Sequence, residues 1–136
     1  MATILIIEDD AHGANITRRV LERAGHEVWH TTDGITGVKM LTQRPIDLVL
    51  LDMGLPDLDG HTIMALIKRV PDNPPVVAVT ASTDPAVERR AMSYGCQAYI
   101  TKPINTRTFA DQIAPYIRPR SPTATPAPSE KSSTVF

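Results

Sequence analysis

Residues 47–60 read DLVLLDMGLPDLDG. Leu48, Val49, Leu50 and Leu51 run without a polar break and end on Asp52. An apolar run this short suits a strand buried on both faces, as in a parallel sheet. Pro56, Asp57, Asp59 and Gly60 follow as turn formers. Asp52 therefore stands where a strand meets its loop. Ligands bind at the carboxyl ends of the strands in open α/β sheets, so a carboxylate there is a functional candidate. The competing reading is that Asp52 caps a helix or closes a turn. The other strand ends have to decide between the two.

Outward from this stretch the chain alternates strand and helix. Residues 3–7 form a β-branched first strand that runs into Glu8, Asp9 and Asp10. Residues 11–24 place Gly13, Ile16, Thr17, Val20, Leu21 and Ala24 at helical spacing, and Gly25 suits the position that ends a helix. Residues 27–31 read as a second strand. Residues 35–41 read as a helix with Ile35, Val38, Met40 and Leu41 on its apolar face. A third helix covers 60–70, with Ile63, Leu66, Ile67 and Val70 inward. The fourth strand, 76–79, ends on Thr80. Residues 85–94 read as a helix closed by Gly95, and 98–100 as a fifth strand followed by Thr101, Lys102 and Pro103. The last helix is expected over 105–117, with Pro115 bending or fraying its end. Five β-α units with buried strands predict a parallel sheet covered by helices on both faces.

Composition bounds the rest. A chain of 136 residues suits one domain with a single folded core, placed at 1–118. From Pro119 the sequence becomes PRSPTATPAPSEKSSTVF, rich in Pro, Ser and Thr without an apolar period; 119–136 is expected to be a disordered tail or a linker. The formal net charge of −1 gives no electrostatic footprint for nucleic acid or an anionic membrane. No run approaches the ~20 apolar residues of a membrane span. The single cysteine, Cys96, cannot form an internal disulfide, and the start lacks the basic n-region of a signal peptide. A cytoplasmic protein without direct nucleic-acid or membrane contacts is the expectation.

With a strand order of 2-1-3-4-5, the ends of strands one and three are neighbours at the switch point. Glu8, Asp9 and Asp52 would crowd there, and three carboxylates at close range call for a cation. Hard oxygen ligands with room for water and phosphate point to Mg²⁺ rather than zinc. No Cys/His cluster supports zinc. Lys102 and Thr80 add an ammonium and a hydroxyl from the other side, so the site suits an anion with several oxygens, such as a phosphoryl group. A carboxylate can accept such a group covalently. Neither GxxxxGK[ST] nor GxGxxG occurs, so the site is not built to hold a nucleotide.

The motifs ILIIEDD, DLVLLDMGLPDLDG, VVAVTAS and AYITKPI, in this order, resemble the receiver domain of bacterial response regulators over roughly residues 2–117. The resemblance implies a flavodoxin-like (βα)5 three-layer sandwich. It implies that Asp52 is the phospho-acceptor and that Asp9 and Asp52 bind Mg²⁺ with their side chains. Glu8 would hold the metal through water, and Gly54 through its backbone carbonyl. Thr80 matches the hydroxyl that closes onto the phosphoryl group, and Lys102 the lysine that pairs with it. Lys102–Pro103 would be a cis bond. Tyr99 matches the aromatic ring that turns inward when the threonine moves. Gly54 and Ser82, at the positions that tune phosphoryl lifetime, imply a short or intermediate one. The implied function is a phosphorylation-controlled switch. Its partners would be a histidine kinase or histidine phosphotransfer protein and an unspecified downstream protein target.

Two alternatives stand beside it. The chain could be a receiver fragment of a hybrid kinase or multidomain regulator. A Mg²⁺-dependent aspartyl-phosphate phosphatase of the haloacid dehalogenase type is disfavoured, because it needs a second aspartate where Gly54 stands. The chain is therefore read as a switch that catalyses only its own phosphorylation and dephosphorylation. Asp10 is expected to cap the first helix, and Asp57 and Asp59 to be loop and cap residues.

Overall fold

The computed structural model describes residues 2–55 and 57–119. Five parallel strands lie in the order β2-β1-β3-β4-β5: β1 (Thr3–Ile7), β2 (Glu27–Thr31), β3 (Leu48–Leu51), β4 (Val76–Thr80) and β5 (Ala98–Thr101). Between and after them run α1 (Ala11–Arg23), α2 (Gly34–Gln43), α3 (Gly60–Arg69), α4 (Pro85–Ser93) and α5 (Phe109–Ile113). This is the parallel sheet covered on both faces that the alternation predicts, and the flavodoxin-like three-layer sandwich that the resemblance implies.

The strands are apolar at successive positions because both faces are covered. Ile4, Ile6, Leu48, Leu50, Val77 and Val79 face the layer of α1 and α5, where they meet Leu21, Phe109 and Ile113. Leu5, Ile7, Val49, Leu51 and Ala78 face the layer of α2, α3 and α4, where they meet Leu41, Ile63, Ile67 and Ala91. The two-residue period of a strand divides one apolar run between two cores.

Helix starts and stops follow local chemistry. Asp10, Asp33, Asp59 and Asp84 stand at four N-caps, each side chain accepting a backbone N–H of the first turn. α1 and α4 end on Gly25 (φ 94°) and Gly95 (φ 112°). His26 N–H reaches the Leu21 carbonyl at 3.1 Å, and Cys96 N–H reaches that of Ala91 at 3.2 Å. These are the closing bonds of a Schellman turn, whose left-handed residue favours glycine.

Two expectations are corrected. The last helix does not span 105–117: α5 covers only Phe109–Ile113, followed by a 3-10 turn at Ala114–Tyr116. Pro115 has no N–H to continue the α ladder. Before α5, the Asn105 side chain accepts the Arg107 N–H at 3.0 Å and holds residues 105–108 in a separate turn. Ile16 and Ile35 are not inward-facing; they are 38% and 48% exposed. Each belongs to the first two turns of its helix. Of the segment read as a disordered tail, 119–136, all but Pro119 lies outside the described residues, as does Pro56.

At the amino pole the chain is fastened by a buried carboxylate and by backbone carbonyls. Asp47, 2% exposed, accepts the Thr3 N–H at 2.8 Å. Arg118 donates to the carbonyls of Asp72 and Ile46 at 2.7 Å each, while its own N–H bonds Asp47 O at 3.0 Å. The end of the domain is thereby tied to the starts of β1 and β3.

α2 lies close on β1 because Gly37 has no side chain. A Cβ there would come within 2.5 Å of Ile7 Cδ1 and 2.9 Å of Cγ1, in a side chain with no exposure. Gly37→Ala would gain ~1 kcal/mol in helix propensity but overpack this contact, at about 1–3 kcal/mol. The expected result is a net loss of stability in urea denaturation; a stabilised variant would show that α2 can lift off Ile7 freely.

Candidate functional site

Glu8, Asp52 and Lys102 lie one residue beyond their strands, and the hydrogen-bond ladder still holds them. Glu8 N–H donates to Thr31 O at 3.0 Å, Asp52 N–H to Ile7 O at 3.0 Å, and Lys102 N–H to Thr80 O at 2.8 Å. Their backbones are therefore fixed by the sheet, while their side chains reach past its edge. The Lys102–Pro103 peptide is cis.

These side chains converge. Carboxylate oxygens of Glu8, Asp9 and Asp52 lie within 4.8 Å of one another. Lys102 Nζ donates to Glu8 Oε1 and, at 3.2 Å, to Asp52 Oδ2. The other oxygens are answered by backbone: Gly54 N–H reaches Asp52 Oδ1 at 2.9 Å, and Asp10 N–H reaches Glu8 Oε2 at 3.2 Å. His30 Nε2 contacts the Glu8 carbonyl at 2.8 Å. Glu8 is buried, Asp52 half-buried, and Asp9 exposed at the rim.

Three carboxyls share one ammonium, and the charge is divided unequally. Burial pushes Glu8 up to about 7, and the Asp52 carboxylate adds to this; Lys102 opposes it without winning. Burial also raises Asp52, but its hydrogen bonds with Glu8, the Gly54 amide and Lys102 outweigh that and hold it below its ordinary value. Burial alone would lower Lys102; its bond to Glu8 and the nearby charges of Asp52 and Glu8 raise it instead. Without a cation, the site keeps Asp52 ionised and makes Glu8 the carboxyl that retains its proton.

The donor set fits a hard divalent cation. It is all oxygen, its charge exceeds what Lys102 neutralises, and among the described residues no sulfur or imidazole ligand joins it. The Glu8, Asp9 and Asp52 oxygens are close enough for one ion to reach them all, directly or through water.

The other sequence candidates lie on neighbouring elements. Thr80, 6% exposed, ends β4 and pairs in register with Thr101. Tyr99, half-buried on β5, donates its hydroxyl to the Ser82 carbonyl at 2.9 Å and so ties β5 to the loop before α4. A groove of about 470 Å³ opens beside Asp52, Glu8 and Lys102, walled by Ala14, Ile16, Thr17 and Ile104. Cys96 is buried beside Met64, and burial pushes its thiol up to about 11, which suits a packing role. Asp10 and Asp59 cap α1 and α3.

Sequence reasoning missed two acids. Asp47 carries no motif and is recognisable only from its burial. Asp57 was expected to serve its own loop, yet it accepts the N–H groups of Gly34 at 3.0 Å and Ile35 at 3.2 Å, at the start of α2. Those donors precede it by more than twenty residues, so local spacing gives no sign of them.

A carboxylate–lysine cleft at the carboxyl edge of a doubly wound sheet defines a class of oxyanion-handling domains. The profile of the response regulator receiver domain matches residues 4–114, and the chain belongs to that family. It is 31% identical over 117 residues to the polar-differentiation response regulator DivK of Brucella anthropi, covering 85% of this chain and 95% of that protein. A CheY-like receiver domain protein from Methanospirillum hungatei superposes with a TM-score of 0.76 at 26% identity, over 83% of this chain and 90% of its own. The receiver domain of the sensor histidine kinase PA1611 from Pseudomonas aeruginosa, with magnesium coordinated in its active-site cleft, shares the fold. Its TM-score is 0.77 at 24% identity, over 85% of this chain and 96% of its own. The chain is thus a receiver domain, a phosphorylation-controlled signalling switch rather than an enzyme of the conventional kind. Receiver domains work with histidine kinases and downstream targets. Among the described residues no helix is long and apolar enough to cross a membrane.

The raised Glu8 has a consequence for the metal-free protein. Its folded pKa of about 7 exceeds the ordinary 4.5, so between these values the folded state binds more protons than the unfolded chain. Stability should fall as pH rises through this window. Melting temperatures measured in chelator from pH 4.5 to 7 should drop in wild type relative to Glu8→Gln. Parallel curves would show that Glu8 is not the proton-holding group.

Proposed function

We propose that Asp52 is the phospho-acceptor and that it takes its phosphoryl group from a phosphohistidine on a histidine kinase or phosphotransfer protein. The observation that carries this reading is the meeting of Asp52 with Glu8, Asp9 and Lys102, delivered by three different strands. An Asp52 oxygen forms the new bond to phosphorus, the P–N bond breaks, and the histidine ring leaves with the electron pair. Holding Asp52 ionised keeps the nucleophile ready. Lys102 places its ammonium beside the same carboxylate, where negative charge gathers on the transferring oxygens. Asp9 and Asp52 would hold Mg²⁺ with their side chains, Glu8 through water and Gly54 through its carbonyl. When bound there, the ion would neutralise charge on the phosphoryl oxygens.

The groove beside Asp52 gives a donor side chain its approach. Arg18, Arg19 and Arg23 on α1 supply charges for a docking partner. After transfer, the Thr80 hydroxyl closes onto the phosphoryl group and the β4–α4 loop follows. Tyr99, bonded to Ser82 in that same loop, reports the movement to the surface of α4, β5 and α5, where a protein target reads it. On this reading the protein works in the cytosol. Gly54 offers no second carboxylate for a phosphatase.

Acetyl phosphate with Mg²⁺ should add one phosphoryl group to wild type, measured by intact mass, and none to Asp52→Asn. Chelator should abolish the addition, and Lys102→Ala should slow it about 100-fold. Undiminished addition to Asp52→Asn would sink the assignment.

Tyr99→Phe removes one hydrogen bond, worth about 1 kcal/mol. It should leave phosphorylation intact while amide exchange in residues 81–84 speeds up. Unchanged exchange would mean the Tyr99 hydroxyl does not restrain that loop.

A further inference from the structure

A helix N-terminus leaves four backbone N–H groups without intrahelical partners. In α2, Asp33 takes one of them, accepting from Thr36 N–H at 2.9 Å. Two more, those of Gly34 and Ile35, go to Asp57, one to each carboxylate oxygen. Asp33 belongs to the segment that leads into α2; its other oxygen accepts the Thr31 hydroxyl at 3.4 Å, so its bonds hold the helix and its own lead-in and do not reach the loop after Asp52. Asp57 belongs to the loop that follows Asp52, so its two bonds join that loop to the helix.

The join is built closely. A Cβ on Gly34 would stand 2.6 Å from Ile63 Cδ1, 3.2 Å from Leu58 Cδ1 and 3.6 Å from Asp57 Oδ1, so only glycine lets the loop and α3 come this near. α2 is a firm anchor: Gly37 packs on Ile7, and Leu41 is buried in the core. On the site side, Gly54 N–H is bonded to Asp52 Oδ1. The loop is therefore held to the nucleophile through Gly54 and to α2 through Asp57, with Leu55 buried in the core between them.

We propose that Asp57 is a positioning residue: by clamping the loop to the first turn of α2, it fixes Gly54 relative to Asp52 and so sets the metal affinity of the site. This rests on the reading that Gly54 and Asp52 face the metal. Asp57 touches neither the ion nor the phosphoryl group; it acts through the loop. Partners that orient a metal ligand in this way typically change affinity by about 10- to 100-fold.

Asp33 provides the control, because its loss weakens the same helix without releasing the loop. The full chain is titrated with MgCl₂ by calorimetry as wild type, Asp57→Ala, Asp57→Asn and Asp33→Ala. Asp57→Ala should bind about 10-fold more weakly. Asp57→Asn keeps one acceptor oxygen and should fall between it and wild type. Asp33→Ala should bind like wild type even though it is less stable in urea. Equal losses in Asp33→Ala and Asp57→Ala, or none in either, would overturn the proposal. Should Asp57→Ala not fold, the Asn variant carries the same comparison.

Amide exchange in chelator tests the clamp without any metal. The Gly54 N–H should exchange severalfold faster in the Asp57 variants and unchanged in Asp33→Ala; an unchanged rate in the Asp57 variants overturns the clamp. If wild type bound no Mg²⁺ while this exchange pattern held, the metal reading would fail and the clamp would stand as loop positioning alone.

Discussion

The N–H groups of Glu8, Asp52 and Lys102 each donate to the last residue of a neighbouring strand. Everything at the site depends on this one-residue extension of the sheet ladder. A residue inside a strand sends its side chain into one of the two cores. A residue far out in a loop must be positioned by its own contacts. The first residue past the strand has a backbone as fixed as the sheet and a side chain outside both cores. Three such positions on β1, β3 and β5 bring two acids and a lysine together without any of them having to be held by packing. Because Glu8 and Asp52 extend adjacent strands, their closeness follows from the order 2-1-3-4-5.

That closeness costs charge repulsion, and the fold keeps the cost as a working feature. Asp47 and Asp52 stand at opposite ends of β3 and make the contrast plain. Asp47 is nearly fully buried, accepts the Thr3 N–H and helps hold the start of β1. Asp52 has one oxygen on a backbone amide and the other on Lys102, which also serves Glu8. One acid is answered by a neutral backbone donor. The other sits in a cluster whose negative charge exceeds its single cation. Burial and the neighbouring Asp52 raise the Glu8 carboxyl, while Asp52 is held below its ordinary value. An added cation relieves both, which is why the apo site invites one.

The sequence made the sheet and the cluster legible because their signals are local or modular. Apolar runs marked the strands, Gly25 and Gly95 marked helix ends, and residues just past three of the runs are the ones that meet in the cluster. What it hid was set by partners distant in sequence or by how far a helix face is covered. The periodicity that placed Ile16 and Ile35 inward describes a helix face but not how much of it is buried. The apolar period of α5 survived Pro115, while the backbone did not. Arg44, stacked 3.7 Å from the centre of the Trp29 ring, and Arg118, on the carbonyls of Asp72 and Ile46, meet residues that no spacing rule connects to them.

Two struts leave the site on opposite sides. Tyr99 runs from β5 to the loop after β4, and Asp57 runs from the loop after β3 to α2. Both end on backbone groups, so each restrains a segment and not one rotamer. They differ in what they can yield. The Tyr99 bond is a single neutral hydrogen bond that the loop can exchange for water at small cost, as a moving part requires. The Asp57 contact is a carboxylate on two helix N–H groups, charge-assisted and favoured by the helix dipole. Its carboxyl is held below the ordinary value by the Gly34 amide above all, so it stays charged across the physiological range. In the function proposed above, the loop after β3 stays still while the loop after β4 moves. The weaker strut lies on the side that moves and the stronger on the side that stays.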